Sequence, residues 1–314
     1  MNNTTEEPKK LIRIDPEQGI EIIDEDLYKK VKKCNLSPSM ANSFLNCPAD
    51  WFLDKYILPK IEHTEPIFFA RGTAFHKVME HFFTESPEER NPKNLAQLTR
   101  DTLVNEYPDL VNDPENINWI KNAINGYLSM GFNYKEDMIP KININNKPTI
   151  GLEFFVTGKF DTKRPIVGYI DKLANENSKL VMQDWKTGAK VHNYDPSKPI
   201  SASNSFDYPR QQTLYAMLLE KINIELTDAS LIFPVAKEVV EVDFKNDVIR
   251  NQAVSDMQKL DERVNHCIEK NFFPFTPALF CTWCHLLYSG RTIGRNRPPE
   301  ININEFNQLV EYTD

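Results

Sequence analysis

The chain has 314 residues, 40% of them hydrophobic and 11% aromatic, enough apolar material for a large buried core and too much for a disordered protein. No apolar run approaches the roughly 20 residues needed to span a bilayer. The start, Met1-Asn2-Asn3-Thr4, lacks the charged and apolar regions of a signal peptide, so the chain reads as soluble, intracellular and cytoplasmic, with no membrane partner. A formal net charge of −8 argues against attraction to nucleic acid by bulk charge, although Lys29, Lys30, Lys32 and Lys33 gather locally, as do Arg291, Arg295 and Arg297.

Residues 1–35, polar and acidic with Pro8 and Pro16, are expected to form a flexible arm. Order is expected from Leu36 onward. Ser37 reads as a helix cap with Pro38 in the first turn, and Met40, Phe44 and Leu45 follow at helical spacing. A second helix is expected over 73–83, where Ala74, Phe75, Val78, Met79 and Phe82 make one apolar stripe and His76 and Lys77 sit at its edges. Residues 91–134 keep a helical pattern interrupted at Pro108 and Pro114.

The pattern changes near Pro148. Residues 151–156, 165–173, 179–186, 229–235 and 238–244 read as strands, with a helix over 209–221. Val254, Met257, Leu260, Val264 and Ile268 then mark a long amphipathic helix. The expected division is an arm over 1–35, a helical region over 36–147 containing Cys47 and His76, and an α/β core over 148–245. A helix and CxxC segment over 246–290 and a tail over 291–314 complete it.

The most informative stretch lies in the core. Asp184 and Lys186 are two apart on a strand, so both leave the same side and Trp185 leaves the other. Asn175, Glu176, Asn177 and Ser178 are turn formers that make the flanking strands a hairpin and bring Asp171 beside the pair. Two strand-borne carboxylates and a nearby backbone carbonyl form a partial octahedron of oxygen ligands suited to Mg²⁺ or Mn²⁺, with positions left for water and phosphate. Lys186 would orient that water or stabilise developing negative charge. Taken alone, an Asp-x-Lys motif heavily favours a surface hairpin with ordinary charges, and His76 is either a ligand or a helix-edge residue.

Four segments, Gly72-Thr73-Ala74-Phe75-His76, Gly168-Tyr169-Ile170-Asp171, Asp184-Trp185-Lys186-Thr187-Gly188 and Gln211-Gln212-Thr213-Leu214-Tyr215-Ala216, occur in an informative order and spacing. Over residues 36–284 they resemble the RecB-type branch of the PD-(D/E)xK nuclease superfamily, which includes the RecB nuclease domain and CRISPR-associated exonucleases. The resemblance implies an α/β, restriction-endonuclease-like core with a central mixed sheet flanked by helices and a helical N-terminal insertion. It implies that His76, Asp171, Asp184 and the main-chain carbonyl of Trp185 bind the metal and that Lys186 is the catalytic lysine. Gln211 and Tyr215, four apart on one helix face, would contact the scissile strand or support Lys186. Glu153 matches an acid found on the strand before the hairpin, or is an exposed strand charge.

The function implied is metal-dependent hydrolysis of DNA. The specific expectation is an exonuclease acting on single-stranded DNA or DNA ends in recombination, repair, or phage or CRISPR-type processing, with recombination or replication proteins as partners. The alternatives are a catalytically inactive nuclease-fold subunit that binds nucleic acid or serves assembly, and a metal-stapled interaction module. The absence of a glycine-rich phosphate loop argues against ATP hydrolysis by this chain.

The cysteines form a second theme. The segment around Cys47 resembles this branch's N-terminal cysteine segment, whose partner is a C-terminal cluster, here Cys281-Thr282-Trp283-Cys284. Iron–sulfur members carry a further cysteine where this chain has Gly290. Three thiolates fall one short of a four-cysteine cluster site, so an iron–sulfur cluster, a zinc site completed by Cys34 or His285, and metal-free packing all remain as readings. Cys267 lies on the apolar stripe of the long helix and reads as core.

Overall fold

In the computed structural model, which describes residues 9–144, 147–176, 178–188, 208–276, 283 and 301–313, the chain divides into two units interleaved in sequence. Residues 1–66, 159–166 and 255–314 belong to the first unit; residues 67–158 and 167–254 belong to the second.

The first unit begins where the arm was expected. Strands β1 (Ile12–Asp15) and β2 (Gly19–Ile22) form an antiparallel hairpin, burying Ile12, Ile14, Ile20 and Ile22. β1 pairs in parallel with β11 (Val310–Tyr312), and β2 pairs antiparallel with β10 (Phe272–Pro274), which gives a four-stranded sheet. Asp24 then caps α1 (Glu25–Lys32) by accepting the Leu27 N–H at 2.7 Å. The expectation of a flexible arm over 1–35 is therefore corrected over 12–32, and the expected tail supplies an edge strand. Four-residue strands are too short to show a period locally, and their stabilising partners lie at the far end of the chain.

Helix α2 (Pro38–Asn46) starts as expected, with the Ser37 hydroxyl accepting the Met40 N–H at 3.1 Å. After α3 (Pro48–Phe52), Phe44, Trp51, Phe52 and Phe273 pack as an aromatic cluster. Helix α9 (Asp247–Lys270) begins in the second unit and ends in the first. Within the first unit, the chain after α9 returns to Cys47, whose Sγ accepts the Thr276 N–H at 3.4 Å. Helix α10 (Ile303–Leu309) adds Phe306, which packs against the buried Trp283.

The second unit contains the expected mixed sheet, in the order β5 (Leu152–Gly158), β6 (Ile166–Glu176), β7 (Lys179–Trp185), β8 (Asp228–Phe233) and β9 (Glu238–Glu241). β6 and β7 are an antiparallel hairpin, β7 and β8 are parallel, and β8 and β9 are antiparallel. The parallel pair requires a crossover, whose described part is α8 (Tyr208–Glu220). The helical layer is α4 (Ile67–Thr84), α5 (Pro92–Glu106), α6 (Pro108–Val111) and α7 (Pro114–Ser129). Pro108 and Pro114 start helices rather than break them, since a first-turn proline gives up no helical hydrogen bond. Cys47 and His76, expected in one helical region, fall in different units. A hairpin of β3 (Lys141–Ile144) and β4 (Lys147–Ile150) was not anticipated.

Phe75, Val78, Met79, Phe82 and Phe83 of α4 pack in one core with Leu152, Trp185 and Ile232 of the sheet. Gly126 of α7 lets its backbone meet the chain after β8, because a Cβ there would lie 2.0 Å from the Pro234 carbonyl oxygen. A polar joint runs through this layer. Lys172, fully buried, contacts the Asp137 carboxylate, donates to Gln183 Oε1 at 2.8 Å and lies 4.0 Å from the Phe83 ring centroid. Gln183 in turn donates to Glu176 at 2.9 Å. No helix among the described residues is long and apolar enough to cross a membrane.

The joint makes a stability prediction. Asp137→Ala strands a buried ammonium and is expected to lower the unfolding free energy by about 3–5 kcal/mol, whereas adding Lys172→Met removes the stranded charge and recovers most of that loss. Urea denaturation midpoints of the two variants test this; equal losses in both would contradict it.

Candidate active site

The site is built where the β6–β7 hairpin stops pairing. The ladder runs to Lys172 opposite Gln183, and beyond it the Trp185 N–H donates to Asp171 Oδ2 at 2.7 Å. A side chain thus replaces the next ladder acceptor and fixes the Asp171 carboxylate. Trp185 turns into the core as the alternation predicts, fully buried and stacked on Phe83 at 5.9 Å. Asp184 is buried, and Lys186 Nζ lies 2.5 Å from its Oδ2. That contact is an ion pair outside hydrogen-bond geometry, so the buried oxygen makes no conventional hydrogen bond.

Helix α4 delivers His76, whose Nδ1 is 3.4 Å from Asp171 Oδ2 and whose ring meets Trp185 edge-on at 6.0 Å. Gly72, one turn earlier, permits the close approach, since a Cβ there would lie 3.1 Å from Thr187 Oγ1. Glu153 on β5 has φ 44°, the left-handed region that costs a non-glycine residue conformational energy. Ligand atoms of His76, Glu153 and Asp171 all lie within 4.8 Å of one another. Asp184 stands just outside this triad, held to Lys186.

Helix α8 supports the site from its own side. Gln211 Nε2 donates to the Tyr215 hydroxyl at 3.0 Å, so the two residues act as one hydrogen-bonded pair. The Tyr215 ring lies against Gly168, where a Cβ would be 2.1 Å from Cε1. The glycine three residues before Asp171 therefore makes room for α8. Tyr208, at the start of α8, places its ring 4.5 Å from Lys186 Nζ. This residue was missed from sequence; its only signal is an aromatic ring one turn before Gln211.

The electrostatics divide the acids. Burial acts to raise the Asp171 carboxyl, but His76, Lys186 and the Trp185 N–H outweigh it and hold it below the ordinary value. Burial and the Asp171 charge push Asp184 up to about 6 and Glu153 up to about 7. Burial works against charge on His76 and Lys186, yet Asp171 raises the first, and Asp184 with Asp171 raises the second. Burial pushes the Tyr215 phenol up to about 12. One imidazole and three carboxylates, those of Glu153, Asp171 and Asp184, are donors that fit a divalent cation with a preference for oxygen ligands.

The cysteine theme is only partly accounted for. Cys47 Sγ accepts the N–H groups of Asp50 and Thr276, each at 3.4 Å. Cys281, Cys284, His285 and Gly290, like Arg291, Arg295 and Arg297, lie outside the described residues. Cys34 is buried beside Arg164, and Cys267 is buried as the apolar stripe implied.

The profile of the PD-(D/E)XK nuclease superfamily matches residues 35–287. Among solved structures, the chain is similar to a protein from Eubacterium rectale named "Putative exonuclease", with a TM-score of 0.53 at 12% identity over 86% of this chain and 95% of that one. No curated protein matches. The mixed sheet flanked by helices agrees with the restriction-endonuclease-like fold, and the profile match covers most of the sequence. The chain belongs to the PD-(D/E)XK nuclease superfamily.

Proposed function

We propose that the chain is a Mg²⁺- or Mn²⁺-dependent deoxyribonuclease, an exonuclease acting on single-stranded DNA or DNA ends. The observation that carries this is the meeting of His76, Glu153 and Asp171 within 4.8 Å beside the Asp184–Lys186 pair. The neighbour named "Putative exonuclease" supports the exonuclease part. In this reading His76, Asp171, Asp184 and the Trp185 carbonyl hold the metal, and Glu153 is a further ligand or a proton acceptor at its edge.

A bound divalent cation would polarise a water and offset the charge that builds on the phosphate oxygens. Lys186 directs its ammonium toward that water or the developing charge, steadied between Asp184 and the Tyr208 ring. Gln211 and Tyr215 keep α8 against the strand that bears Asp171, and they either contact the scissile strand or support Lys186. The intracellular setting, with recombination, repair or phage and CRISPR-type processing as its context, belongs to the same proposal.

Labelled single-stranded and duplex DNA and RNA, incubated with Mg²⁺ or Mn²⁺, test the reading. Asp184→Ala and Lys186→Ala are each expected to lower the cleavage rate by about 10²–10³-fold. An exonuclease leaves a circular single strand intact and degrades its linear form. If the unaltered chain and both variants are equally inert while nucleic acid still binds, the inactive-subunit alternative holds instead.

Protons and metal compete for the same carboxylates. Glu153 and Asp184, raised to about 7 and about 6, are deprotonated above these values and take up protons below them. Mn²⁺ affinity, read by calorimetry, is therefore expected to be high at pH 8 and to fall as pH drops through about 7 to about 6. A pH-independent affinity over that window would refute the assignment of these two acids.

A further inference from the structure

We infer that Phe155 and Tyr169 form a stacking platform for unpaired bases beside the acid cluster, so that the nucleic acid engaged there is single-stranded. The inference rests on the nuclease reading and deepens it by naming the substrate form.

The two residues are large aromatics left 42% and 56% exposed on neighbouring strands of a five-stranded sheet. Their ring centroids are 5.3 Å apart with planes inclined at 54°, so each ring props the other. Tyr169 lies two residues before Asp171 on β6, about 7 Å along an extended strand, and Phe155 lies two residues beyond Glu153 on β5, where the Glu153 φ of 44° interrupts the extended backbone. Gly158 and Gly168 both point at α8, toward Leu218 and Tyr215. By strand alternation, Phe155, three residues before Gly158, and Tyr169, one after Gly168, emerge on the side away from α8.

A chain with net charge −8 draws little affinity for a polyanion from counterion release, so a non-ionic contribution has more to supply. An exposed aromatic face supplies one, because every unpaired base has a π-face and stacking tolerates any sequence. Bases in a duplex are stacked on one another and offer no face to these rings.

The test uses the full chain with Lys186→Met, which stops cleavage while leaving the proposed metal ligands, in Mn²⁺. Binding of fluorescent oligothymidylate is compared with binding of a blunt duplex at low and high salt. Tyr169→Ala and Phe155→Ala are each expected to weaken single-strand binding about tenfold at both salt levels, with duplex binding unchanged. Tyr169→Phe keeps the π-face and should bind normally. Tyr169→Leu keeps the apolar bulk and should lose as much as alanine, which separates stacking from loss of fold. Single-strand affinity within twofold of the parent in the alanine variants, equal losses on duplex, or a Phe variant as weak as alanine would each overturn the platform. Cleavage by the unaltered chain with normal binding in the Tyr169 variants removes the platform alone. Tyr169-dependent binding without cleavage by the unaltered chain removes the nuclease reading alone, and a chain that neither binds nor cleaves removes both.

Discussion

The second unit depends on one constraint: three carboxylates, the buried Asp171 and Asp184 and the half-buried Glu153, are brought together. Like charges at this range cannot all remain ionised without compensation. Asp171 receives it from His76, Lys186 and the Trp185 N–H and stays below its ordinary value, while burial, and after it the Asp171 charge, drives Glu153 and Asp184 upward. These compensating groups come from α4 and from β7, so helix and hairpin are bound to the acids by charge as well as by the apolar contact of Phe75, Phe83 and Trp185. A divalent cation would meet the same need more fully.

The hairpin also answers to its other face. Lys172 follows Asp171 directly and Gln183 precedes Asp184, yet Lys172 donates to Gln183 and contacts Asp137, while Gln183 donates to Glu176. A register slip by one residue would exchange these faces, turning the acids into the core and the lysine out of it. The buried lysine and the acids are thus two specifications of one register. Arg90 strengthens the helical layer by donating to the carbonyl oxygens of Phe83, Glu85 and Tyr134, which ties the end of α4 to the chain beyond α7.

Legibility in the sequence followed the distance over which each residue finds its partners. The strands from β5 to β9, helix α8 and the apolar stripe of α4 carry a local period and stand within a few residues of their expected bounds. Gly72 and Gly168 were visible as motif letters; their reason, the approach of Thr187 and of the Tyr215 ring, is spatial. The sheet that joins Ile12 to Val310 and Ile20 to Phe273 was illegible because strands of three or four residues acquire their stability from partners hundreds of positions away. Lys172 illustrates a different limit. A lysine beside an aspartate on a strand reads as surface charge, and only the presence of Asp137, Gln183 and the Phe83 ring around it makes full burial tolerable.

Net charge and site chemistry together restrict how a polyanion approaches. The excess of acids gives no general attraction, and the carboxylates of Glu153, Asp171 and the nearby Asp184 would repel a phosphate brought to them. Lys186 cannot reverse this by itself, because Asp184 already claims its ammonium at 2.5 Å. A cation held among the acids would offset their charge and compete with Lys186 for the Asp184 carboxylate. On the proposed reading a cation would therefore serve substrate binding before it served hydrolysis, and metal and nucleic acid would be thermodynamically linked, each raising the affinity for the other.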